Sequence, residues 1–168
     1  MFEPRIYKER RRRLLRAAGP GLGLFLGNEE SPMNYPENTF RFRQDSTFLY
    51  YFGLDRPGLA AVMDFDEGTA TVYGDDYTVD DIVWRGPQPA IREMSRRAGV
   101  DRTGTADELA ERLKDARRSG RRIHFLPPYR AENALKLKRW LGLNPDRAAA
   151  AASVDLIRAV VEQRAVKG

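Results

Sequence analysis

The sequence contains no cysteine and one histidine, His124. Without cysteine, disulfides and thiolate metal sites are excluded, and a reducing, cytoplasmic compartment fits. A single histidine rules out any metal site that needs several imidazoles. No apolar run approaches the roughly eighteen residues of a membrane span, so no membrane partner is expected. The opening MFEPRIYKERRRR is basic but has no apolar h-region, so it does not read as a signal peptide. There is no Gly-x-Ser-x-Gly elbow, and the serines have no evident histidine partner. Aspartates are plentiful, but they cluster at turns and caps, which accounts for them without a metal. The chain therefore reads as a module without its own catalytic centre. No catalytic or metal-binding residue is assigned in it.

What is present points to one globular domain. The 168 residues match a prior of roughly 150 residues per domain. Apolar residues make up 42% and charged residues 32%, so a core can form. Net charge is +5, and Arg10 to Arg13 form an unbroken basic run. That invites a nucleic-acid reading. The 24 acidic residues interleave with the basic ones, which favours a solvated, arginine-rich surface instead.

Local signals alternate between helix and strand. Pro4 to Ala18 reads as a helix with Pro4 at N1, an apolar stripe of Ile6, Tyr7, Leu14 and Leu15, and Gly19-Pro20 as its stop. Gly21 to Gly27 is a short apolar run suited to a core strand. A polar loop from Asn28 to Asn38 follows. Leu59 to Phe65 and Thr69 to Tyr73 flank Asp66-Glu67-Gly68, a hairpin signal. Thr78 with Asp81 and Thr105 with Glu108 resemble capping boxes, each opening a helix. Pro89 to Arg97 reads as another helix. Ile123 to Leu126 is a strand, with His124 expected to be partly buried and hydrogen-bonded. Helices from Tyr129 to Leu141, with Leu135, Trp140 and Leu141 as apolar positions, and after Ser153 complete the chain. The fold class is α/β, a mixed sheet flanked by helices.

The densest stretch is Phe40 to Gly53, FRFRQDSTFLYYFG. Phe40 and Phe42 alternate with arginines, and Phe48 to Phe52 is uncharged. Two strands are expected, joined by a turn at Asp45-Ser46. Arg43 and Gln44 set against this aromatic block should be buried and paired, since an unpaired polar group in a dry interior is costly. Arg43→Ala is then expected to cost about 2–4 kcal/mol.

This stretch also resembles a known family. Phe42, Arg43, Gln44, Ser46, Phe48, Tyr50 and Gly53 follow the F-R-Q-x-S-x-F-x-Y-x-x-G hallmark of the aminopeptidase P N-terminal domain, in the creatinase/prolidase superfamily. Tyr7-x-x-Arg10-Arg11, Asp55-Arg56-Pro57-Gly58 and Trp84-x-Gly86 fit the same order, and Glu162-x-Arg164-x-x-Lys167 is similar to the family's lead into its second domain. Asp45 stands where asparagine is also common in that family. Gly168 stands where its boundary step has serine.

The resemblance implies a ribonuclease-H-like motif in residues 1–153. It also implies a linker helix over 154–168, leading to a catalytic pita-bread domain absent from this chain. That second domain would hold a dinuclear metal, usually manganese, and cleave peptides with proline second. The implied partners are the chain's own catalytic domain, further copies in a homo-oligomer, and peptide substrates. The resemblance places Trp84 in a subunit contact that walls a substrate pocket, so its indole should be exposed. The alternative function is a nucleic-acid-binding module on the same fold.

Overall fold

The computed structural model describes residues 2–166, Arg85 by its backbone alone. Lys167 and Gly168, where the resemblance placed the boundary step, lie outside the described residues. Five strands form one mixed sheet: β1 Leu22–Leu26, β2 Ala60–Asp64, β3 Thr69–Tyr73, β4 Arg102–Gly104 and β5 Ile123–Phe125. Their spatial order is β4-β3-β2-β1-β5. The first three are antiparallel neighbours, with Leu24 facing Val62 and Val62 facing Thr71. β5 runs parallel to β1, and β4 parallel to β3.

Period-2 alternation divides the sheet's side chains between two cores. Phe25, Ala61, Met63 and Val72 face α1 (Pro4–Ala17), α2 (Ser46–Phe52) and α8 (Val154–Ala165). Leu22, Leu24, Ala60, Val62 and Tyr73 face the other way, onto α5 (Ala106–Arg118) and α6 (Ala131–Leu141). Three shorter helices, α3 Val79–Arg85, α4 Ile91–Arg97 and α7 Pro145–Ala148, fill the connections. Leu156, Ala159 and Val160 place α8 in the first core. Leu135, named among the apolar positions of this helix, is exposed, because α6 packs through Asn133 and Leu137.

The aromatic stretch departs from the expected strands. Residues 40–45 form no regular element, and Ser46–Phe52 is a helix. Asp45 is its N-cap rather than a turn residue, with Oδ1 accepting from Thr47 N and Phe48 N at 2.9 and 2.8 Å. Phe48, Tyr51 and Phe52 stand at i, i+3 and i+4 and are fully buried, with Phe25 against Tyr51 and Phe52. Phe42 and Tyr50 are half-buried, and Phe40 is exposed. Gly53 closes the helix at φ 64°, and a Cβ there would lie 2.2 Å from the Tyr7 ring.

Arg43 is likewise exposed, and the expected buried guanidinium belongs to Arg11. Tyr7, Arg11 and Leu14 share the inward stripe of α1. Arg11 Nη1 donates to Tyr51 O at 2.7 Å, and Nη2 donates to Ala98 O and Gly99 O at 3.0 and 2.8 Å. Burial pulls its pKa down to about 10, against the charge of Asp101. The Arg10–Arg13 run is therefore not one solvated face. Arg10 stacks on Tyr50 at 4.1 Å, while Arg12 and Arg13 pair with Glu9.

The hairpin is also held electrostatically. Asp64, 1% exposed, receives both Nη groups of Arg121 at 3.1 and 2.7 Å and Arg112 at 3.2 Å. Burial pushes its carboxyl upward. Hydrogen bonds from Arg121 and the Glu67 N–H, with the charges of Arg121 and Arg112, outweigh that and hold it below the usual range.

Two expectations follow from these contacts. In denaturant titrations Arg11→Ala should lose about 2–4 kcal/mol, because three carbonyls lose their partner. Arg43→Ala should stay within about 0.5 kcal/mol, as an exposed substitution does. Equal losses at both sites would contradict the assignment. Because the folded Asp64 pKa is depressed, its contribution is present above the unfolded value of about 3.9 and is lost as pH falls through the folded value. Melting temperatures should therefore drop between about pH 5 and pH 2, and less steeply in Asp64→Asn. An unchanged slope in that variant would remove Asp64 as the source.

Candidate functional site

The candidate site is α3. It is built from a capping box: Asp81 N donates to Thr78 Oγ1 at 3.2 Å, and Thr78 N donates to Asp81 Oδ2 at 2.9 Å. Gly86 ends the helix, its N–H donating to Ile82 O at 2.9 Å. Both caps lie on the chain itself, so the helix forms without burying a face. Val79, Val83 and Trp84 are 77%, 72% and 86% exposed, and Ile82 is 40% exposed. No described α3 residue belongs to either core. Scattered single apolar residues need no explanation, but four on one seven-residue helix do.

The flanks of α3 are fastened from beneath. Arg56, 6% exposed, donates through Nη2 to Asp75 O at 2.8 Å and lies over the Tyr77 ring at 4.2 Å. It also sits 3.7 Å from Asp76. Asp75 and Asp76 in turn accept from Ala106 N and Ile91 N at 3.2 and 2.7 Å, tying the segment to the starts of α5 and α4. Arg56 is held by the hallmark stretch. Gln44, 1% exposed, donates through Nε2 to Arg56 O at 2.7 Å, while its Oε1 accepts from Asn28 N and Asp45 N.

The hallmark residues therefore fall into two sets. Gln44, Phe48 and Gly53 build the core and its links, with Phe42 and Tyr50 half-buried at its margin. Ser46 stands exposed at the first turn of α2, and Arg43 contributes its backbone carbonyl to Asn28 Nδ2 at 2.9 Å. Trp84 lies on a separate element, exposed as expected. Sequence reasoning missed Arg56 as a positioning residue. Its signal was an arginine in the turn Asp55-Arg56-Pro57-Gly58, between two buried stretches.

A serine–histidine pair does exist, contrary to the sequence reading. His124 Nδ1 lies 2.7 Å from Ser153 Oγ, and Nε2 lies 2.9 Å from Pro20 O. Both residues are buried, and Ser153 Oγ caps α8 by accepting from Leu156 N at 3.4 Å. This geometry ties β5 to α8 and offers no opening to a substrate. Among the described residues, no three of His, Cys, Asp or Glu gather as a metal would need. No described helix is long and apolar enough to cross a membrane.

Comparison with known proteins agrees with this architecture. The sequence family described as aminopeptidase P, N-terminal domain, matches residues 7–124. Human Xaa-Pro dipeptidase is 29% identical over 87 residues, covering 52% of this chain and 18% of that protein. A protein of Ajellomyces dermatitidis named "Probable Xaa-Pro aminopeptidase" is 26% identical over 102 residues, covering 60% and 20%. Aminopeptidase P from E. coli, in its low-pH form, superimposes over 97% of this chain and 33% of its own. Its TM-score is 0.66 at 16% identity. Proline aminopeptidase P II from Yersinia pestis covers 67% and 26%, with TM-score 0.57 at 22% identity. The chain thus spans about a fifth of the curated relatives' length. None of these comparisons supports the nucleic-acid reading, and of the arginines of α1 offered for it, Arg10 and Arg11 are engaged within the fold. The chain belongs to the aminopeptidase P N-terminal domain family.

Proposed function

We propose that this chain is the non-catalytic N-terminal domain of a cytoplasmic Xaa-Pro aminopeptidase, a hydrolase that releases the N-terminal residue from peptides with proline second. The observation that carries the reading is the uncovered apolar patch on α3, with Trp84 at 86% exposure. A domain of this size rarely leaves such a patch without a partner. An indole face suits a proline ring, which is flat, apolar and weakly hydrated. In a homo-oligomer, Trp84 would reach a neighbouring subunit and form one wall of its substrate pocket. Arg56 and Gln44 would act through position, holding α3 at a fixed angle.

On this reading residues 1–153 would be the domain proper, and the segment 154–168, which begins with α8, would lead to a catalytic pita-bread domain. The reaction's metal, a dinuclear site suited to manganese, would belong to that second domain. The donor set among the described residues here does not fit one, so no step is assigned to this chain's own side chains.

Purified alone, the chain should release nothing from an Xaa-Pro peptide, whichever divalent metal is supplied. Cleavage surviving removal of contaminants would overturn the non-catalytic assignment. In the full-length enzyme, Trp84→Ala should lower kcat/KM on such a peptide by roughly tenfold, as loss of an interface hot spot does. The melting temperature of the isolated domain should not move. A large fall in that temperature would make Trp84 a folding residue and end the pocket role.

A further inference from the structure

A second feature lies at the carboxyl ends of β1 and β5. The two strands run side by side and parallel, then their chains diverge. β1 leads into the loop before α2, and β5 turns through Pro127-Pro128 into α6. In α/β sheets such a divergence opens a crevice where ligands settle. Here the crevice encloses about 410 Å³, a size that holds small organic ligands. Its walls are mainly apolar, with Leu26, Leu126, Tyr129, Ile157 and Val161 among them.

Two groups in this lining have unused hydrogen-bonding capacity. Asn133, on the first turn of α6, is 5% exposed, and its Oδ1 is buried without a partner among the described residues. A buried acceptor left unpaired is unfavourable, and a ligand N–H would relieve it. Arg164, from α8, donates through Nη1 to Thr47 Oγ1 at 2.7 Å. The rest of its guanidinium has no partner among the described residues, and that fork matches a carboxylate. Asp45 is the other charged residue in the lining. Its Oδ1 is already committed to the N–H groups of Thr47 and Phe48.

We propose that this crevice binds the C-terminal end of a short apolar peptide. The terminal carboxylate pairs with Arg164, the last amide N–H donates to Asn133 Oδ1, and the side chains lie along Ile157 and Val161. The site does not depend on the α3 patch or on the aminopeptidase reading.

The test is an NMR titration of this chain, ¹⁵N-labelled, with N-acetyl-leucyl-leucine as the free acid and as its C-terminal amide. The acid should shift resonances of Leu126, Val161 and Arg164. The amide should bind about tenfold more weakly, the cost of one charge-assisted pair. Arg164→Gln should weaken the acid by a similar factor and erase its advantage over the amide. Asn133→Leu should weaken both peptides while the melting temperature holds or rises, since it removes an unpaired buried amide. A purely structural role for Asn133 would not separate binding from stability in that way. No shift at millimolar peptide, shifts confined to residues outside the crevice, or equal affinity for acid and amide would overturn the proposal. So would unchanged binding in both variants.

Discussion

The guanidinium of Arg11 is the constraint on which the rest of the fold depends. It reaches across the first core and ends on three backbone carbonyls at the C-terminal ends of two other helices. Tyr51 O belongs to the last turn of α2, and Ala98 O and Gly99 O lie just past the end of α4. Helix C-termini present carbonyls with no partner along the helix and a partial negative charge. One buried cation satisfies both ends at once. A charge is expensive in a core unless its donors are used, and here the carbonyls use them. With its pKa near 10, the group stays charged at neutral pH. Tyr7, one turn earlier on the same stripe, closes over Gly53, so α2 is fixed at its C-terminal end by side chain and backbone together.

That fixed core carries the candidate site through a short relay. Asp45 caps α2, and Gln44 beside it holds Arg56 by its carbonyl. Arg56 then holds Asp75 and stacks on Tyr77, just before α3 begins. The hallmark stretch thus does two jobs: its second half builds the core, and its glutamine supports the approach to the exposed patch. Hydrogen bonds thus link the α2 core to the segment that precedes α3. In the proposed role, Trp84 could form a pocket wall only if the helix that presents it keeps its angle.

Much of this was legible in the sequence, and the failures have specific causes. The hairpin, both capping boxes and Ser153 as a cap were readable because each rests on local chemistry. The Phe40–Phe42 alternation and the β propensity of aromatic residues suggested strands for residues 40–52. The competing signal was already there: Asp45 before a helix start, Phe48, Tyr51 and Phe52 at helical spacing, and glycine at the end. The buried arginine was foreseen as a type but assigned to Arg43. Arg11 falls on the Tyr7–Leu14 stripe, yet as part of an arginine run it read as solvated surface. β4 was missed because three residues at a sheet edge carry little pattern. The exposure of Trp84 was legible because the tryptophan stands at an element's end, just before Arg85-Gly86-Pro87. The Arg56 relay was not, since it depends on contacts between residues far apart in sequence.

An arginine-pinned core presents α3 as an uncovered element. Native-state hydrogen exchange on the isolated domain measures this directly. Amides of α1 and α2 should exchange together through one rare, large-scale opening, while α3 amides exchange far faster through local fraying. Protection of α3 equal to that of α2 would mean that the patch is packed against the fold, which would contradict an uncovered α3.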